Sequence, residues 1–418
     1  MSSQLEGVRY LSGDPVNRWL VLAGAVLSNM CVGSAYAWSV YQKPLIAMFH
    51  WTTHEVSLAF TLCLGLMPVA MIIAGKFQNQ YGPKRVVIAG SLLFSSGVVG
   101  AGYTDSLGVL YMTYGVLGGL GTGTIAATVL ATAVQFFPDK RGLASGCTVG
   151  GFATGAIVVA PLASALIVSH GVLATFKILG ISYLVILMTC SLLIRTAPPD
   201  YRPAGWAPAA SGAINVARAD KNWREMLADP LFYALWVMFL ASSVSGLMII
   251  GHASPISQEM IRLDVQAAAF AVGLLALGNA IGRIVWGWIS DKIGRYNAVM
   301  IIFSFFGSLM FAMTHINQAT PFMAVLAMIG LCYGGIMGIF PSITADMFGP
   351  KNLAMNYGII NTAFGMAAYI GPRLASHYKE VNGGDYSQAF LVAAGFSVLG
   401  VLLTVIVRQQ MKRQSRLA

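Results

Sequence analysis

Charge is scarce in this chain: of 418 residues only 10% are Asp, Glu, Lys or Arg, and only 15 are acidic. A soluble domain carries about a quarter of its residues charged, so there is too little polar surface here to coat a water-soluble globule. Cysteine is scarce too. Cys31, Cys63, Cys147, Cys190 and Cys332 stand singly inside apolar runs, with no Cys-x-x-Cys or metal-ligand spacing, so they read as small packing residues rather than disulfide or metal partners. The six histidines (His50, His54, His170, His252, His315, His377) all fall near the ends of apolar runs, which leaves no metal cluster and no nucleophile–base pair at depth for an enzyme. No Asp or Glu stands near the middle of any apolar run, so a proton relay through a buried carboxylate has no carrier. The sequence contains no phosphate loop of the Walker type. The N-terminal eighteen residues lack the charged segment, short apolar core and cleavage site of a secretory signal, and the first apolar run is long enough to remain as a span.

Apolar sequence is what abounds, at 57% of residues and a mean hydropathy of +0.71. One bilayer crossing takes about 20 such residues. About twelve runs qualify, near 19–42, 56–77, 86–104, 107–136, 143–169, 172–194, 230–252, 265–289, 298–315, 320–347, 353–376 and 387–407. They are spans one to twelve of an all-α membrane protein. The segment Gly75-Lys-Phe-Gln-Asn-Gln-Tyr-Gly-Pro-Lys-Arg85 returns as Gly287-Trp-Ile-Ser-Asp-Lys-Ile-Gly-Arg-Tyr-Asn297, and both glycine pairs, 75 with 287 and 82 with 294, are offset by 212. The chain is therefore a duplication: residues 1–195 form a first six-helix bundle, 196–229 a polar connector, and 230–418 a second bundle with a basic tail. Paired halves in a bilayer favour a transporter, because alternating access is built by rocking one repeat against the other around a site between them. A receptor would want an output domain, and the connector contains no obvious one.

The formal charge of +10 is placed for a membrane rather than for nucleic acid. Lys84-Arg85, Lys140-Arg141, Lys292 with Arg295, Lys351 and the tail residues Arg408, Lys412, Arg413 and Arg416 fall on alternate loops. That bias puts those loops and both termini in the cytoplasm of a cell-membrane protein. The 46 glycines are spaced as helix contacts: Gly115, Gly119 and Gly123 in span four, Gly330, Gly334 and Gly338 in span ten, and Gly146, Gly150 and Gly155 in span five. Small residues let backbones approach closely in lipid.

The few polar groups at depth are the functional candidates, since each is costly unless it faces a cavity or a partner. Arg283 stands eight residues before Asp291, which ends span eight, so it lies roughly 12 Å inside at 1.5 Å per residue. A fixed guanidinium fork suits an anionic substrate and matches a carboxylate through two bonds. Asn279 sits one turn earlier on the same face, to support Arg283 or donate to the substrate. Tyr36, Tyr333, Tyr357 and Asn361 are polar within spans one, ten and eleven, either lining a cavity or bonding between helices. Lys177 and Arg373, near the outer ends of spans six and eleven, can reach headgroups. His252, at the outer end of span seven, titrates in the range of a proton sensor.

The paired loops resemble the signature of the major facilitator superfamily, with Gly287, Asp291, Lys292, Gly294 and Arg295 in the second copy and a departure at Asn79 and Gln80 in the first. The resemblance implies a fold of two pseudo-symmetric six-helix bundles. It also implies a cytoplasmic gate in which the loop acid caps a neighbouring helix and meets basic residues, here drawing on Asn79, Arg85, Arg141, Asp291, Arg295 and Asp346. More narrowly the chain resembles the oxalate/formate antiporter family and the related monocarboxylate (lactate) transporters. The resemblance is carried by Gly33-x-x-Tyr36-x-Trp38-Ser39-x-Tyr41-x-x-Pro44, Phe137-Pro-Asp-Lys-Arg-Gly-Leu-Ala-Ser-Gly146, Arg283-x-x-Trp286-Gly287, Phe340-Pro-Ser342, Asp346-x-Phe-Gly349 and Asn356-Tyr-Gly358.

In that family the arginine matching Arg283 binds substrate carboxylate. Oxalate carriers of the family are expected to have a second lysine where this chain has Phe364, and a dianion facing one buried cation would keep an unpaired charge. Eukaryotic monocarboxylate carriers place an Asp where Asn279 stands and a lysine in span one, which has no basic residue at depth here. The expectation is a carrier of a small monocarboxylate such as lactate or pyruvate by proton-coupled symport; the alternative is an oxalate/formate-type carboxylate exchanger, with Arg373 or Lys177 as the second cation. It needs no cofactor or metal, and a single copy suffices.

Overall fold

The computed structural model describes residues 17–198, 201–203 and 220–417. Most of the 196–229 connector, residues 1–16 and the side chains of the basic tail beyond Met411 lie outside the described residues. The described chain is helical throughout. Its spans, in order, are Arg18–Phe49, Thr53–Tyr81, Pro83–Ala101, Leu107–Phe136, Arg141–His170, Val172–Leu193, Pro230–Glu259, Val265–Ile293, Arg295–Met313, Ala319–Phe348, the pair Leu353–Ile360 and Thr362–Val381, and Ser387–Leu417. A short helix, Trp223–Leu227, leads into span seven.

Most spans outrun the apolar stretches that announce them. Span seven continues to Glu259 and span two runs from Thr53 to Tyr81. A helix bonds its own backbone, so it does not have to stop where the hydrocarbon stops. Thirty residues at 1.5 Å each reach about 45 Å, well past a core of about 30 Å. Polar ends are closed locally: Thr52 and Glu55 form a capping box at span two, and Asp229 and Asp264 cap spans seven and eight.

Three spans depart from a continuous α-helix where the sequence reads as continuous, and span four does so by widening into a π-helix at Tyr111–Leu117. Span one tightens into a 3-10 turn at Ser34–Ala37, directly after Gly33, where an added Cβ would overlap the Phe152 backbone of span five. Span eleven breaks at Asn361, where the N–H of Phe364 bonds the Asn361 carbonyl at 3.1 Å. Neither of its pieces alone is both long and apolar enough to cross, and the other eleven spans are. The inner piece, Leu353–Ile360, packs on span two, and the outer piece, Thr362–Val381, packs mainly on span seven.

Buried apolar residues form two cores. One is built from spans one to six, around Leu45, Phe94, Phe136, Phe176 and Leu187. The other is built mainly from spans seven to twelve, around Leu235, Phe239, Phe322, Phe340 and Phe390. The outer surface keeps large apolar side chains exposed, among them Val168, Ile181, Phe270, Ile301 and Leu402, which lipid covers without cost. The glycine runs do what their spacing implies. Gly115, Gly119 and Gly123 admit span two against span four; Gly330 and Gly334 admit span eight against span ten.

The 212-residue offset also organises the seam between the halves. Span five meets span eight, where Gly146 lies on the Arg283 backbone and Gly287 on Gly142. Span two meets span eleven, where Gly75 lies on Met355 and Gly358 on Met71 and Ile72. Gly146 with Gly358, and Gly75 with Gly287, are pairs under the same offset. At each of these positions a side chain would push the halves apart.

Candidate functional site

The halves are joined at the end that bears the two repeated loops, here called the latch end. Span five begins at Arg141, and Lys140 at its N-cap supplies no side-chain acceptor. The free N–H groups of Gly142 and Leu143 instead donate to the two oxygens of Asp291, at the end of span eight, at 2.8 Å each. A carboxylate at a helix N-terminus satisfies orphan donors and complements the helix dipole. Asp291 also pairs with Arg295 at 2.7 Å, Arg295 reaches Asp346 at 3.0 Å, and Asp346 holds Arg141 of the other half at 2.6 Å. Just above this network Ser145 donates to the Gly338 carbonyl at 2.6 Å and lies 2.7 Å from Ser342.

The other copy of the latch has no charge. The offset pairs Asp291, Arg295, Asp346 and Arg141 with Asn79, Pro83, Val134 and Leu353. Asn79 still meets the start of the partner helix, donating to Asn352 at 2.7 Å, and Gln135 donates to the Pro350 carbonyl at 3.0 Å. Arg85, expected in the gate, is exposed and takes no part in these bonds. Its offset partner is Asn297, in the first turn of span nine, which bonds the Ile293 carbonyl of its own half at 2.7 Å. A wider cleft of about 790 Å³, bordered by Gln78, Asn79, Gln135, Arg141 and Lys351, lies behind the latch and does not reach Arg283.

Above the latch, between the halves, is a cavity of about 60 Å³. Arg283 enters it from span eight and is only 5% exposed. Its Nε donates to Asn279 Oδ1 at 3.1 Å, as the one-turn spacing predicts, and one terminal nitrogen donates to the Val149 carbonyl of span five at 2.9 Å. Arg283 is thus itself a bond between the halves. Tyr36, Tyr357 and Asn361 also line the cavity. Tyr36 presents its ring edge to Phe152 at 5.1 Å, and Asn361, freed by the break in span eleven, donates to Met71 Sδ at 3.4 Å. Tyr333 is buried against Gly246 and stands behind this lining, close enough to interact with the Arg283 charge.

The same offset describes the cavity wall. It pairs Arg283 with Met71, Asn279 with Met67, Asn361 with Val149 and Phe364 with Phe152, and all of these but Asn279 line the cavity. One wall is a cation and the opposite wall is two thioethers, with a phenylalanine from each half alongside.

His252 is elsewhere. Its Nε2 lies 3.0 Å from Ser376 of span eleven and its ring 5.9 Å from that of Tyr386. Lys177 and Arg373 are also apart from the cavity, set over the rings of Tyr103 at 3.9 Å and Tyr369 at 3.5 Å. Among the described residues no three metal-ligating side chains gather. The apolar members of the lining, Met67, Met71 and Phe152, were not marked by sequence, nor was Asn29. The signal for Met71 was present as the offset partner of Arg283, and that for Asn29 as a lone amide in an apolar run.

Two bundles that meet at one end around a chamber holding a buried arginine have the build of a membrane carrier. Residues 18–372 and 248–417 match the Major Facilitator Superfamily, and the chain belongs to it. It is 32% identical over 353 residues to the uncharacterised MFS-type transporter YhjX of Escherichia coli K12, covering 84% of this chain and 86% of that one. It is 31% identical over 404 residues to the oxalate:formate antiporter of Oxalobacter formigenes, covering 95% and 93%, and 24% identical over 407 residues to monocarboxylate transporter 12 of Xenopus laevis, covering 91% and 86%. Among solved structures, the E. coli fucose:proton symporter FucP in an outward conformation superposes with a TM-score of 0.71 at 13% identity over 93% of this chain and 98% of that one, a likeness of fold. The protein is an MFS transporter, related to carboxylate carriers.

Proposed function

We propose that this transporter carries small monocarboxylates of the lactate and pyruvate type across the cell membrane by proton-linked symport, with the latch end and both termini in the cytoplasm. The observation that carries the reading is the cavity: one buried guanidinium, faced by Met67, Met71, Phe152 and Phe364, in about 60 Å³. A water takes roughly 10–15 Å³ of such volume, so the space suits an acid of a few heavy atoms. One cation balances one carboxylate, and the apolar wall receives the other end of the acid. A dianion would leave one charge among thioethers and rings.

The geometry supports a way for binding to release the seam. In the closed-latch state the guanidinium spends one nitrogen on the neutral Val149 carbonyl. A carboxylate offers charge-assisted bonds in its place, so a bound acid draws Arg283 away from span five and neutralises it before the seam parts. Reorienting with the arginine bare is the costly alternative. His252, tied to span eleven through Ser376, is the proton-carrying candidate of the symport reading. Obligatory exchange is the second reading, favoured by the 31% identity to the oxalate:formate antiporter over 95% of the chain.

Uptake of labelled L-lactate into proteoliposomes separates these. Accumulation driven by an inward proton gradient with no internal acid, reduced at least about tenfold by Arg283→Lys, is the expected result. Uptake only after the lumen is loaded with a carboxylate means exchange. Absence of uptake under both conditions overturns the monocarboxylate reading.

A further inference from the structure

Asn29 lies on span one and borders the cavity with Tyr36 of the 3-10 turn that follows. It is 2% exposed. Its Nδ2 donates to the Thr148 carbonyl of span five at 2.8 Å. A carbonyl only accepts, so this bond fixes which end of the amide is nitrogen. The other end, Oδ1, is buried and has no partner. A buried acceptor left unmade is costly, and in a packed helix bundle it calls for an explanation. Of the other polar groups lining the cavity, Arg283 is engaged by Asn279 and Val149 and Asn361 by Met71, while Tyr36 and Tyr357 bring hydroxyls that can donate as well as accept, unlike the acceptor-only Oδ1.

We propose that Asn29 is a specificity-determining residue whose Oδ1 accepts a hydrogen bond from the α-hydroxyl of the substrate, so that the carrier prefers 2-hydroxy acids to 2-oxo and unsubstituted acids. The inference rests on the monocarboxylate reading and deepens it. With the carboxylate on Arg283 of one half and the hydroxyl on Asn29 of the other, the acid spans the interface, and its alkyl end falls to the methionine wall. A 2-oxo acid brings a second acceptor to Oδ1, where two lone pairs face each other. An unsubstituted acid brings nothing and leaves Oδ1 unpaired. Sites built to bond a substrate hydroxyl reject analogues that lack it, and one neutral bond of this kind is worth about tenfold in affinity.

The test uses the full chain in proteoliposomes, with labelled propionate as the reporter and L-lactate and pyruvate as competitors, in wild type and Asn29→Leu. In wild type, lactate is expected to compete about tenfold better than pyruvate or propionate itself. In Asn29→Leu that advantage is expected to fall to within about twofold, read as the ratio of the competitors' inhibition constants, so that a change in uptake common to all three acids cancels. An unchanged lactate advantage in the variant overturns the proposal, as does an equal loss for all three acids, which marks Asn29 as a structural bond between spans one and five. If Asn29→Leu fails to fold, Asn29→Ala is read by the same ratios. Failure of the wild type to take up any of the three acids, each supplied in labelled form in a parallel measurement, refutes the monocarboxylate reading itself, and the Asn29 assignment with it.

Discussion

Replacing Asp291 by Asn tests whether charge at one helix terminus keeps the latch closed. The carboxylate accepts from the N–H groups of Gly142 and Leu143 and pairs with Arg295, with a side chain only 10% exposed. An amide keeps one acceptor and turns an NH2 group toward the second N–H. The substitution removes one charge-assisted bond, worth about 1.5–3 kcal/mol, and the favourable charge at the helix N-terminus, worth about 0.3–1 kcal/mol. Together these weaken the closed state by about 2–4 kcal/mol, or roughly 30- to 1,000-fold in its population relative to the latch-open state. Spin labels at the exposed positions Lys84 and Lys351, one in each half, report the separation by pulsed EPR in a background without the native cysteines. A longer distance component is expected in Asp291→Asn. An unchanged distribution would refute the claim that this carboxylate holds the halves together.

Three further outcomes are expected. Asn79→Asp removes the donor of the Asn79–Asn352 bond and sets two acceptors face to face, because Asn352 Nδ2 is held by the Lys221 carbonyl; the loss of about 0.5–1.5 kcal/mol outweighs or cancels the helix-dipole gain of about 0.3–1 kcal/mol, so the same EPR measurement should show no tighter closure than wild type, and a more closed distribution would refute the assignment of this bond. Gly287→Ala places a methyl against the Gly142 carbonyl, so the latch end should part with every charge intact, and the longer distance should persist in high salt; a wild-type distance would show that the seam tolerates bulk. Phe364→Lys puts a second cation in the cavity wall and should improve competition by oxalate relative to lactate by at least about tenfold, measured against labelled lactate uptake.

The twelve spans were legible because each is a run of apolar residues whose length is set by the bilayer, and the duplication was legible because its loops keep their glycines in register. Arg283 and Asn279 were legible as a pair because helical spacing alone brings them together. The break at Asn361 was not, since nothing in Asn356-Tyr-Gly-Ile-Ile-Asn361 forbids a continuous helix; tertiary contacts with span two on one side and span seven on the other decide it. Depth along a helix says nothing of azimuth, which is why His252, Lys177 and Arg373 could be assigned a height in the membrane but not a neighbour. Arg85 misled for the same reason: its loop carries the gate, but its own side chain faces outward.

The joint in span eleven has a consequence for the order of events. A straight helix carries any tilt of one end to the other, whereas two rods on an elbow do not. With Leu353–Ile360 held to span two and Thr362–Val381 to span seven, the outer rod can swing over the chamber while the inner rod stays seated. In the transport cycle proposed above, the far entrance would then shut first, trapping the cargo in a doubly sealed compartment before the near side lets go.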